Sequence, residues 1–78
     1  MDKHIEMLGK IESREDFLVF MQHFIKAEQD ASVRDYLEAL AGWTKDMDGY
    51  YKNAGKEMPA NINWDLIATL LYAGSIYE

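Results

Sequence analysis

The chain contains no cysteine. That excludes a disulfide scaffold, a cysteine nucleophile and a thiolate zinc site, and it fits a reducing compartment. No apolar run approaches the roughly 18 residues that a membrane-spanning helix needs. The opening "MDKHIEMLGK" is mixed and charged, unlike a signal peptide. These two features together lead us to expect a cytoplasmic protein. There is no glycine-rich phosphate loop, no internal repeat and no stretch of alternating strand pattern. Basic residues are few and scattered: 8 Lys and Arg stand against 14 Asp and Glu, a formal net charge of −6. Without a basic patch, direct binding to a phosphate backbone is disfavoured. An acidic surface keeps a small protein soluble and favours basic partners.

What is present is apolar and helical in pattern. Seventy-eight residues make one domain, here 1–78. With 49% hydrophobic and 28% charged residues the composition is that of a globular protein. Three Phe, two Trp and five Tyr supply much buried area per residue, which helps a core this small.

Four segments carry the helical signal. A short one over roughly Asp2 to Leu8 places Ile5 and Leu8 on one side, with Ile11 beyond, and Gly9 ends it. The second starts at "SRED": Ser13 has the character of an N-cap and Asp16 stands at N3 in a variant capping box. Phe17, Phe20, Met21, Phe24 and Ile25 then form one apolar face. The third starts at "SVRD", with Ser32 as cap, and carries Tyr36, Leu40, Trp43, Met47 and Tyr50 at steps of four and three. That stripe is expected to face the core, Trp43 included. Gly49 either bends this helix or is carried by packing. Gly55, after Lys52 and before Pro59, is the expected stop. The last helix is capped by Asn63 and turns Trp64, Ile67, Ala68, Leu70 and Leu71 inward, with Tyr77 packed at its end. Ala73, Gly74 and Ser75 are small enough to let another helix approach. Short connections make neighbours antiparallel. The expected fold is a compact all-α bundle of three main helices with a short N-terminal helix.

The segment "WTKDMDGYYKNAGKE" invites a calcium-loop reading, and its spacing refuses it. With Asp46 at position 1 of a calcium loop, Tyr51 stands where the sharp turn needs glycine. With Gly49 at that position, Gly55 replaces the bidentate glutamate. Asp46 and Asp48 cannot act as a carboxylate pair either, since residues i and i+2 lie about 200° apart around a helix. His4 and His23 sit on different segments, each as a surface or boundary histidine rather than a metal ligand. Ser13 and Ser32 are accounted for by capping. No catalytic, cofactor or metal constellation emerges. Tyr50 and Tyr51 are adjacent, so one of them must present its ring or hydroxyl to solvent.

Three stretches carry a resemblance: "ESREDFLVFMQ", "YLEALAGWTKDMDGYYKN" and "MPANINWDLIATLLYAGSIYE". They resemble a family of small bacterial proteins classed as a domain of unknown function, with a SREDF-like start, a W-x-x-DMDGYY centre and a tryptophan-headed final helix ending in YE. Many members carry a longer, tryptophan-containing link before the middle helix, where this chain has "KAEQDA". The resemblance implies a stand-alone bacterial cytoplasmic domain and brings no activity with it.

The expectation from sequence is therefore a non-enzymatic acidic module that binds a basic protein partner. Its most concrete form is an inhibitor, such as an immunity or anti-defence protein, that covers a basic site. The expected binding residues are Glu38, Asp46, Asp48, Tyr50 and Tyr51, with no cofactor and no contact with nucleic acid or membrane. The alternative is a structural module that self-associates, as a homodimer.

Overall fold

The computed structural model describes residues 3–77. Among them are four helices and no strand: α1 (Lys3–Met7), α2 (Arg14–Ala27), α3 (Ala31–Asn53) and α4 (Trp64–Ile76). The all-α bundle of three main helices with a short N-terminal one is the architecture observed. Asp2, at the expected start of the first helix, lies outside the described residues.

Helix α2 begins where its cap signals place it. The Ser13 hydroxyl accepts the Asp16 N–H at 3.0 Å. The Asp16 carboxylate reaches back one residue further than a capping box does and accepts the Glu12 N–H at 3.1 Å. Helix α3 begins earlier than its sequence signal. Asp30, not Ser32, is the N-cap, and its carboxylate accepts the N–H groups of Ser32 at 2.9 Å and Val33 at 3.1 Å. A carboxylate wins here because it takes two orphan N–H groups at the positive end of the helix, where a hydroxyl takes one. Glu28 supports the cap by accepting the Asp30 N–H at 3.1 Å.

The third helix then runs unbroken through Gly42 and Gly49 to Asn53. Both glycines are exposed, and the neighbouring helix formers carry them. It stops in a Schellman turn: the Lys56 N–H donates to the Tyr51 carbonyl and the Gly55 N–H to the Lys52 carbonyl. Gly55 sits at φ +69, the left-handed conformation that the turn requires. Asn63 caps α4, accepting the Leu66 N–H at 3.0 Å.

Helix α2 is the spine. It packs against α1, α3 and α4, whereas no Cα of α3 comes within 8 Å of a Cα of α4. Packed helices have axes about 8–10 Å apart, which brings some Cα pairs nearer than that, so α3 and α4 are splayed. The core is the α2 face, Phe17, Phe20, Met21 and Phe24, closed by Ile11, Leu37 and Ala68.

Four expectations about burial need correction. The inner face of α3 is Leu37, Thr44 and Met47, with Leu40 and Ala41 packed against the core, so Met47 and Leu40 of the expected stripe face inward while the helix is rotated enough to turn its aromatic members out. Tyr36 and Tyr50 lie outside, and Trp43 is 48% exposed rather than buried. The α2 surface is already filled by phenylalanines, and Thr44 can enter because its hydroxyl donates to the Leu40 carbonyl at 2.8 Å. On α4, Leu70 is 62% exposed and Tyr77 85% exposed, so neither packs inward. His4 is buried, 4% exposed. Its ring stacks on Phe24 at 5.2 Å and meets Phe20 and Tyr72 edge-on, pinning α1 to the bundle. Finally, the Asp65 carboxylate accepts the Gly9 N–H at 2.7 Å and the Ile11 N–H at 3.3 Å, which ties the turn after α1 to the start of α4.

Candidate protein-binding face

The residues expected to bind a partner all belong to α3, and the geometry divides them. A helix advances about 100° per residue, so Glu38, Asp46 and Tyr50 lie on the outward half, and Asp48 and Tyr51 toward the bundle. Glu38, Asp46 and Asp48 are exposed. Asp48 is engaged: Arg14, in the first turn of α2, donates from Nη2 to Oδ2 at 3.0 Å and from Nη1 to Oδ1 at 3.2 Å. The Arg14 Nη1 also reaches the Thr44 carbonyl at 3.4 Å. The hydrogen bond to Asp48 raises the Arg14 guanidinium pKa above its ordinary value, burial lowers it, and the Asp48 and Glu15 charges add to the rise. Asp48 thus joins α2 to α3, while Asp46 stands on the other side of the helix.

The tyrosines behave as their adjacency requires. Tyr50 is 48% exposed and Tyr51 half-buried. Their rings meet edge to face at 5.1 Å, and Trp43 joins them, 5.6 Å from Tyr50 and 6.5 Å from Tyr51. Tyr36, Trp43 and Tyr50 recur every seven residues, a spacing that drifts only about 20° per step around a helix. They form a row of exposed rings along α3.

Sequence reasoning missed Tyr36 and Trp43 as surface residues. Their heptad spacing was visible but is also the spacing of a core stripe. It missed α4 as well, where Leu66, Leu70 and Ile76 are exposed. The signal was there: between Trp64 and Ile76 the only charged residue is Asp65. A helix apolar nearly all round has a second face to cover.

Between the aromatic row and α4 the splay leaves an open seam. At one end a cavity of about 410 Å³ is floored by Phe24 and walled by Tyr36, Leu37, Leu71 and Gly74, with Glu28 and Asp30 at its mouth. At the other end a cavity of about 190 Å³ lies over Phe17, between Leu40, Trp43 and Met47 on one side and Trp64 and Ile67 on the other. Among the described residues no three His, Asp or Glu side chains gather as metal ligands, and no helix is long and apolar enough to cross a membrane.

Fold and surface together define a small all-α module whose long third helix displays aromatic and acidic side chains beside an open apolar seam. The chain belongs to DUF7660, a family of unknown function, whose model matches residues 13–78. The match spans α2, α3 and α4 with their caps and leaves α1 outside. No curated protein and no solved structure is significantly similar to it.

Proposed function

We propose that the protein is a non-enzymatic module that binds a basic protein partner through the outward face of α3. The observation that carries this reading is the row of exposed rings, Tyr36, Trp43 and Tyr50, on one side of a well-capped helix. Exposed Trp and Tyr at such spacing are costly to leave in water and are the residue types that dominate protein interfaces. Asp46, one turn from both Trp43 and Tyr50, and Asp35 beside Tyr36 give the row an acidic edge. With a net charge of −6 the whole molecule attracts and orients a cationic surface. The concrete form we favour is an inhibitor of the immunity or anti-defence kind, acting in a bacterial cytoplasm by covering a basic site.

Within the expected set, Asp46, Glu38 and Tyr50 remain direct contacts in this proposal. Tyr51 supports the rings from behind, and Asp48 holds α3 on α2. The test is affinity capture with the purified protein and an Asp46→Lys variant. Direct titration of whichever protein the wild type retains then follows. Retention by the wild type, with an about tenfold or larger loss in the variant and unchanged helix content, is the expected result. Equal retention by both proteins, or no specific retention by the wild type, contradicts the reading.

Self-association is a second reading, favoured by the exposed Leu66, Leu70 and Ile76 on α4. Light scattering at rising concentration separates the two: a monomer throughout removes self-association.

A further inference from the structure

The seam between α3 and α4 is opened by their splay, a tertiary feature. Its floor is the α2 face, Phe17 at one end and Phe24 at the other. Its walls are Tyr36, Leu37, Leu40 and Trp43 of α3 and the apolar flank of α4. Helix α4 has 13 residues, so the seam is about 20 Å long, enough for three to four turns of another helix. Gly74 lines the wide cavity without a side chain and nothing stands within 4 Å of where its Cβ would be, which leaves room there for an incoming backbone.

The charges around the seam are mostly acidic: the one cation that reaches its lining, Arg14 on the Thr44 carbonyl beside the narrow cavity, is already paired with Asp48. No Lys or Arg lines either cavity, and there is none between residues 58 and 77. Glu28 and Asp30 stand at the wide mouth. Along the rim, Asp35 and Asp46 lie about 80° and 60° around α3 from Trp43. The cations of α3, Arg34, Lys45 and Lys52, lie about 180° to 200° from Trp43, on the other side of the helix. Arg34, the cation nearest the wide end, is held on the Glu28 carbonyl at 3.0 Å.

We propose that this seam receives an amphipathic helical segment of the partner protein, with large apolar residues on one face and Lys or Arg on its flanks. The inference deepens the protein-binding reading above and rests on it. The apolar face of the segment covers Leu40, Trp43, Ile67 and Leu71, and its cations meet the carboxylates at the mouth and along the rim. A second copy of this chain fits poorly as the occupant. It would bring a second molecule of charge −6 against the same acidic rim, and like charges face to face disfavour the pairing.

The test uses the full chain and a phage-displayed library of helical peptides of about 16 residues, a length that spans the seam. Enriched peptides are synthesised and titrated against isotope-labelled protein, with amide shifts as the readout. Three variants run alongside: Gly74→Leu, which puts a side chain into the wide cavity; Leu70→Lys, which places a cation at an exposed rim position; and Asp46→Lys. The expected result is enrichment of peptides with apolar residues at i, i+3/i+4 and i+7 and flanking Lys or Arg. Their shifts should centre on Leu37, Leu40, Trp43, Ile67 and Leu71. Affinity should fall about tenfold or more in Gly74→Leu and in Leu70→Lys, with helix content unchanged. Absence of enrichment, or enrichment of neutral or acidic peptides, overturns the proposal. So do concentration-dependent shifts of the same amides without peptide, which would make a second copy the occupant. Shifts confined to the outer face around Glu38 and Asp46 overturn the seam proposal and leave the binding-module reading standing. Likewise, a captured partner lost from Asp46→Lys but kept by Gly74→Leu contradicts the seam alone.

Discussion

Arg14 and Asp48 form a two-pronged ion pair across the α2–α3 junction, with N–O distances of 3.0 and 3.2 Å. The pair separates two aspartates that look equivalent in "DMDGYY". Both aspartates are exposed, but Asp48 is tied to α2 through Arg14, whereas Asp46 lies on the opposite side of α3. Asp48→Ala and Arg14→Met are each expected to lower the melting temperature, and the double variant to lower it by less than the sum, because the two act through one contact. Asp46→Ala is expected to leave it unchanged. Thermal denaturation followed by circular dichroism distinguishes these outcomes, and equal sensitivity at Asp46 and Asp48 would remove the distinction.

The start of α3 rests on its cap. Asp30→Ala should cost about 1 kcal/mol of stability, since two N–H groups lose their acceptor. Ser32→Ala, at the second residue of the helix, should change it by no more than about 0.5 kcal/mol. Urea denaturation of the two variants measures both. A larger loss at Ser32 would place the helix start two residues later, at Ser32 rather than Asp30.

The glycines separate in the same kind of experiment. Gly42 and Gly49 lie inside α3, and a Cβ at either would meet nothing within 4 Å. Replacing each by Ala should therefore stabilise the protein by about 1 kcal/mol. Gly55→Ala should destabilise it by about 1 kcal/mol or more, because φ +69 strains any residue with a Cβ. Destabilisation at Gly49 would mean that α3 bends there.

His4 should matter more than an isolated histidine on a five-residue helix would. Its ring stacks on Phe24 and abuts Phe20 and Tyr72, and such aromatic pairs contribute about 0.5–1.5 kcal/mol beyond their area. His4→Ala should speed amide exchange across α1 and the turn to Ile11 while α2 and α3 keep their protection. Uniform loss of protection would show instead that α1 is integral to the core rather than docked on it.

Much of the fold is written locally and can be read residue by residue. Ser13, Asn63 and Gly55 each solve a problem at a helix end that depends only on neighbours in the chain. The Phe17–Phe24 face is legible because α2 is buried by three partners, and its apolar positions have no alternative direction. The rotation of α3 is not legible in that way. Leu37, Thr44 and Met47 compete with Tyr36, Trp43 and Tyr50 for the same role, and both sets recur at helical spacing. The choice between them depends on which shape fits the phenylalanines of α2, a tertiary matter. The burial of His4 is hidden for the same reason, since its three aromatic neighbours come from other helices. Of the candidate site, helix geometry foretold that Asp46 and Asp48 lie on opposite sides of α3 and that one of Tyr50 and Tyr51 faces solvent; which tyrosine does so follows from the rotation of α3, and it is Tyr50, the one the stripe places inward. The role of Asp48 is not legible locally, because its partner lies 34 residues away.

The claim that α3 offers its aromatic row to a partner is most directly tested at Trp43. A Trp64→Phe variant leaves Trp43 as the sole tryptophan. Acrylamide quenching of its fluorescence is then measured in the free protein and in the complex with the captured partner. The account predicts red-shifted, strongly quenched emission in the free protein, and a blue shift with protection in the complex. Emission already blue-shifted and protected in the free protein, or quenching unchanged by the partner, would contradict it.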